Sequence, residues 1–163
     1  MVLDETHNWD GSEFGEQVNL TDPQKEALKS LLAAQARINR RCEKTLVESG
    51  GVTLEVYDVL VTLESEPGMR LRMSELADRV LLSRSGVTRL VDRLEQKGWI
   101  RREPCELDKR CQWAQLTPEG VQVREFSWRI YEPQLVALWG SKVDDKTAGR
   151  LTRFFESLAP IST

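Results

Sequence analysis

Apolar residues recur along this chain at two periods, and the changes between them divide it into elements. Leu28, Leu31, Leu32, Ile38, Cys42 and Leu46 form one helical stripe of roughly seven turns. Leu54, Tyr57, Leu60, Val61 and Leu63 form a second, and Leu76, Ala77 and Val80 a third of about two turns. Val87, Leu90, Val91 and Leu94 follow at i, i+3, i+4 and i+7, the spacing of an amphipathic helix facing a core. The period then shortens. Trp99 to Glu103 reads as a strand, and Cys111 to Leu116 as its return, with Gln112, Ala114 and Leu116 on one face. Helical spacing resumes through Val121, Val123, Phe126, Ile130, Leu135, Leu138 and Trp139, and again through Ala148, Leu151, Phe154, Phe155 and Leu158.

Capping and breaking residues fall between these runs. Thr21 and Gln24 fit a capping box with Pro23 in the first turn, and Gly50-Gly51 closes the long first helix. Thr53, Ser74, Ser83 and Asp144 are expected N-caps, and Gly98 the residue just past a helix end. Pro67-Gly68 ends the second helix near Glu66, after which Met69-Arg70-Leu71 alternates like a short edge strand. Thr117-Pro118 pairs an N-cap with proline at the first helical position, while Pro133 is expected to kink or interrupt the helix that follows.

The order is helix, helix, short strand, helix, helix, hairpin, helix, helix. That is a mainly α fold with a small β-hairpin wing: a winged helix-turn-helix over 53–117, with further helices at 21–49, 118–139 and 144–158 forming a separate layer. Residues 21–163 read as a single domain, and residues 1–20, acidic and aperiodic, as a disordered tail. The first helix has more apolar face than one small neighbour covers, which suggests a partner helix from a second subunit.

Charge sharpens this picture. The net charge of the chain is −3, yet residues 70–110 hold 11 basic and 7 acidic side chains, whereas residues 1–69 hold 6 and 13. Surface fields reach only about 8–10 Å at physiological salt, so the local excess matters more than the total. Within the positive segment, Arg84, Ser85, Thr88, Arg89, Asp92 and Arg93 lie opposite the apolar stripe of their helix. Guanidinium groups and hydroxyls are donors suited to phosphates and base edges, so this face is expected to enter a DNA major groove. Ser83 and the N–H groups beside it form a helix N-terminus able to hold a phosphate.

The run LSRSGVTRLVDRLEQKGWIRREP, followed by Asp108-Lys109-Arg110 and Leu116-Thr117, resembles the MarR-type (multiple antibiotic resistance) winged-helix regulators. The similarity pairs a recognition helix ending in Leu-x-x-Lys-Gly with a wing of form D-x-R, five residues, L-T, and extends over about residues 21–158. Trp113 and Ala114 depart from it, standing where aliphatic residues are usual. The resemblance implies a homodimer with interlocking first, fifth and sixth helices, a pseudo-palindromic double-stranded operator and, in many members, release by a small aromatic effector, with cysteine oxidation doing the same in a subgroup; a repressor is the expected form. It implies that Arg110 enters the minor groove with Asp108 orienting it, and that Lys109, Arg101 and Arg102 contact phosphates. Tyr57, Trp113 and Trp128 are the aromatic candidates beside an effector; the simpler reading makes them core residues.

Other function classes find little support. His7, the one histidine, sits in the tail, so no catalytic residues, metal ligands or cofactor site are expected. No apolar run approaches the ~18–20 residues of a membrane span, and the acidic N-terminus lacks a signal peptide's basic region. A cytoplasmic protein without membrane contact is the expectation. Three cysteines do not make a disulfide framework, but Cys105 and Cys111 flank the wing loop closely enough to allow a redox-sensing regulator of the same fold, in which oxidation would distort the DNA contact. Cys42 lies on an apolar stripe and reads as a small core residue. A winged-helix module for protein association is the other alternative.

Overall fold

The computed structural model describes residues 19–80, 82–105 and 111–158. Helix α1 (Asp22–Glu48) starts as its sequence predicts: the Thr21 N–H donates to Gln24 Oε1 at 2.9 Å and the Gln24 N–H to Thr21 Oγ1 at 3.4 Å. The chain divides inside this helix into two units, residues 1–36 and 37–163. In the first, Leu28, Leu31 and Leu32 are exposed. In the second, Cys42 and Leu46 of the same helix are completely buried. Gly50, at φ 78°, ends α1, and the Gly51 N–H reaches back to the Leu46 carbonyl at 2.8 Å.

Helix α2 (Leu54–Glu64), capped by Thr53, leads through a turn at Pro67–Met69 into strand β1 (Arg70–Arg72), helix α3 (Met73–Arg79) and helix α4 (Arg84–Gln96). Strands β2 (Ile100–Pro104) and β3 (Gln112–Leu116) form the wing. The sheet is larger than the expected hairpin. β1 pairs antiparallel with the free edge of β3, giving the order β1-β3-β2 and setting Leu71 opposite Ala114. That pairing removes an open edge and brings Leu71 into the core. Ser74 does not cap α3. Arg72 holds the N-cap position, and its backbone N–H is satisfied by Glu75 Oε2 at 2.9 Å.

One core serves the second unit's winged part. Val59, Leu60 and Leu63 of α2, Leu76 of α3, and Val87, Leu90, Val91 and Leu94 of α4 meet Ile100, Ala114 and Leu116 of the sheet. Each large aliphatic side chain buried there contributes about 1.5–3 kcal/mol. Gln112, expected on the same strand face as Ala114 and Leu116, is exposed beyond the end of this core.

Thr117 joins the wing to helix α5 (Pro118–Leu135): its hydroxyl donates to the Gly98 carbonyl at 2.7 Å and accepts from the Gly120 N–H at 3.1 Å. A side chain on Gly120 would stand 2.2 Å from the Trp99 carbonyl, so only glycine permits α5 to start this close to β2. Pro133 does not interrupt α5. The α-helix continues to Leu135 and passes into a π-helical turn over Val136–Gly140 before α6 (Asp145–Leu158). Phe126, Val136, Trp139, Phe154, Phe155 and Leu158 on these last helices are exposed.

Candidate nucleic-acid interface

Helix α4 separates its two jobs by face. Val87, Leu90, Val91 and Leu94 are at most 1% exposed, while Ser83, Arg84, Ser85, Thr88, Arg89 and Arg93 all lie on the exposed side. Ser83 has extended backbone (φ −65°, ψ 153°), and its Oγ accepts the Gly86 N–H at 3.1 Å. The same oxygen lies 3.2 Å from Ser85 Oγ, so two hydroxyls mark the electropositive end of the helix. Thr88 Oγ1 donates to the Arg84 carbonyl at 3.0 Å, which leaves its lone pairs able to accept a further hydrogen bond.

The exposed guanidinium groups are loosely held. Arg84 lies 3.9 Å from Asp78 and Arg93 4.0 Å from Glu55, while Arg89 pairs with no carboxylate among the described residues. Solvated pairs at such distances are worth about 0–1 kcal/mol, so a phosphate or a guanine edge can replace the carboxylate at little cost.

Arg102 differs from the role implied by the family resemblance. Its side chain is 18% exposed, with Nη1 2.5 Å from Asp92 and 3.0 Å from Glu95, and Nη2 donating to the Thr88 carbonyl at 3.3 Å. Its backbone N–H donates to Glu95 as well, at 3.0 Å. With both Nη atoms committed to two carboxylates and a helix carbonyl, and Nε buried without a partner among the described residues, this guanidinium has little capacity for a phosphate. Asp92 accordingly turns from the polar face of α4 toward the wing. Arg101, on the other face of β2, is exposed; it donates to Gln115 Oε1 at 3.0 Å and pairs with Glu103 at 3.0 Å. Asp108, Lys109 and Arg110 lie outside the described residues.

Two further cations emerge only from strand pairing. The guanidinium groups of Arg70 and Arg72 lie 4.8 and 5.5 Å from the centre of the Trp113 ring, across the β1–β3 ladder. The Arg-Leu-Arg alternation was the available signal, but nothing in it indicates which strand β1 joins.

Trp113 is thereby separated from the other aromatic candidates. Tyr57 and Trp128 do meet, stacked with centroids 6.4 Å apart, and Tyr131 packs edge-on against both at 5.2 and 6.0 Å. Burial pushes the Tyr57 and Tyr131 phenols above their ordinary range, so both stay neutral hydrogen-bond donors near pH 7. A groove of about 640 Å³ opens elsewhere, bordered by the end of α1, the start of α2, Arg93 and Lys97 at the end of α4, Trp99, and Phe126 on α5. Neither Tyr57 nor Trp128 lines it.

The helix-turn-helix, the three-stranded sheet and the cationic face of α4 define a winged helix-turn-helix protein. A model of the MarR family matches residues 50–110. Among solved structures, the MarR family transcriptional regulator Sco3205 from Streptomyces coelicolor, determined in complex with DNA, is 31% identical and covers 91% of this chain and 95% of its own, with a TM-score of 0.77. AbsC, a MarR family transcriptional regulator from the same organism, is 28% identical over 89% of this chain and 95% of its own, with a TM-score of 0.74. The transcriptional repressor MprA of Escherichia coli (strain K12) is 34% identical over 99 residues, which are 59% of this chain and 54% of that protein. This chain thus spans about half the length of that curated relative. The chain belongs to the MarR family.

Proposed function

We propose that this chain is a dimeric, sequence-specific DNA-binding regulator of transcription, acting as a repressor that a small aromatic effector releases from its operator. The observation that carries the reading is the division of α4: four apolar residues locked in the core, six polar ones presented outward. Arg84, Arg89 and Arg93 supply forked donors for guanine or phosphate, and the Ser83 end supplies backbone N–H groups for a phosphate. Arg101 takes a phosphate role in the wing. Arg110, with Asp108 and Lys109, supplies the minor-groove contact that the family resemblance implies.

Exposed Leu28, Leu31 and Leu32 on α1, and Phe154, Phe155 and Leu158 on α6, support a second copy as partner. In a two-fold dimer the two α4 helices would enter successive major grooves about 34–36 Å apart on a pseudo-palindromic site. The repressor assignment draws on MprA. The groove beside Arg93 and Lys97 supports effector control, since a molecule there touches the end of the reading helix itself.

Binding of a fluorescent duplex from the gene's own promoter region, followed against salt, tests the reading. Six to ten phosphate contacts should cost about 10³–10⁵ in affinity between 50 and 200 mM salt. Absence of binding at about 50 mM would sink it. Arg110→Ala should weaken binding without unfolding the protein, and unchanged affinity would take the wing out of the interface.

A further inference from the structure

The wing ladder runs from Ile100 opposite Leu116 to Pro104 opposite Gln112, and its next step sets Cys105 opposite Cys111. Their Cα atoms are 5.3 Å apart, the Cys105 N–H donates to the Cys111 carbonyl at 3.1 Å, and the two side chains are joined as a disulfide. Bridging needs Cα atoms roughly 4.4–6.8 Å apart, and here the backbone ladder alone meets that condition. Both strands therefore keep their register with the bond closed. Cys111 is partly exposed whereas Cys105 is buried, so Cys111 presents the sulfur that an oxidant reaches first. The third cysteine is unsuited to the same chemistry: Cys42 is completely buried, and burial pushes its thiol up.

We propose that Cys105 and Cys111 form an oxidative modification site, a dithiol closed by hydrogen peroxide, and that its disulfide form is the tighter DNA binder. The Cys111 thiolate attacks the peroxide oxygen, breaking the O–O bond to give a sulfenic acid and hydroxide. Cys105 sulfur then attacks the Cys111 sulfur, forming the S–S bond and releasing the sulfenic oxygen as water after proton transfer. Across the two steps the thiols lose two electrons and two protons, and one peroxide becomes two waters. A dithiol reductant reopens the bond by exchange and is itself oxidised to a disulfide.

The direction of the effect follows from what the ring contains. The residues between the cysteines include Asp108, Lys109 and Arg110, the wing segment assigned to DNA. Closing a ring reduces the conformations open to the residues inside it, so less freedom is lost when they engage a duplex. This differs from the expectation that oxidation distorts the contact, because the paired strands accommodate the bond without a change of register.

The proposal rests on the DNA-binding reading, and one experiment separates the two. The full chain is treated with hydrogen peroxide or with dithiothreitol, freed of reagent, and titrated with the promoter duplex. Thiol counting on the denatured samples should find one thiol after peroxide and three after reduction. The oxidised protein should bind about five- to tenfold more tightly. Cys105→Ser and Cys111→Ser should bind like the reduced protein under both treatments, and Cys42→Ala should respond as the wild type does. The wild-type comparison stands alone if a serine variant fails to fold. Three thiols surviving peroxide, equal affinities, or tighter binding by the reduced form would each overturn the proposal while leaving DNA binding intact. Binding by neither form would remove the DNA-binding reading and this proposal with it.

Discussion

Ser83 sets where the reading helix begins. Its hydroxyl satisfies the Gly86 N–H, and its extended backbone turns the chain out of the preceding segment. Ser83→Ala should cost about 1 kcal/mol and Ser83→Gly only a few tenths, read from the midpoint of urea unfolding; equal losses would mean that the hydroxyl does not act as a cap. Arg89, exposed and unpaired among the described residues, belongs to recognition rather than stability. Arg89→Ala should leave unfolding unchanged and lower affinity for the operator more than for random duplex. A uniform loss over all sequences would reassign it to phosphate contact. At the far end of the chain, the Thr147 hydroxyl and then the Thr147 N–H, the latter at 2.8 Å, hydrogen-bond the Asp144 carboxylate and hold its pKa below the usual carboxylate range. A depressed folded value means that the cap contributes at neutral pH and is lost as pH falls through that depressed value. Asp144→Asn should keep a cap for α6 but remove that acid sensitivity, as read by helix amide exchange.

At the scale of elements, the recognition helix and the wing are held together by polar groups rather than by the core alone. Arg102 reaches from β2 to Asp92, Glu95 and the Thr88 carbonyl, all on α4. The carboxylates are 47% and 40% exposed, so solvent screens much of the attraction. Arg102→Met should therefore destabilise by only about 1–2 kcal/mol, and neutralising both carboxylates in that background should recover part of the loss. No recovery would show that the cost came from packing. Thr117 performs a parallel task on the opposite side, tying Gly98 to the first turn of α5. The family resemblance assigned Arg102 to phosphates because cations near a DNA-binding helix share one pattern in sequence. Their partners separate them, and partners come from strands and helices brought side by side.

For the whole molecule, the apolar surface left exposed on α1, α5 and α6 is the feature to be accounted for. If a second copy covers it, light scattering at micromolar concentration should give twice the mass of the 163-residue chain, and Phe155→Glu should shift the mass toward the monomer. A wild-type monomer at that concentration would remove the dimer, and with it the two-groove geometry. DNA binding should weaken together with dimerisation, because a single α4 reads only half of a two-fold site.

Local spacing along the chain is enough to define the elements and most of their ends. Helical and strand periods depend only on local spacing, and the capping hydrogen bonds of Thr21, Thr53, Ser83, Thr117 and Asp144 join residues three apart. The polar face of α4 was legible for the same reason. Long-range packing fixes whatever depends on which elements become neighbours: β1 on the edge of β3, Trp113 beneath Arg70 and Arg72 and away from Tyr57, and Arg102 turned inward to Asp92 and Glu95. Cys105 and Cys111 fall between these cases. Their spacing allowed a bond, but the ladder from Ile100 to Pro104 set them opposite each other, because register is fixed by every pair below them.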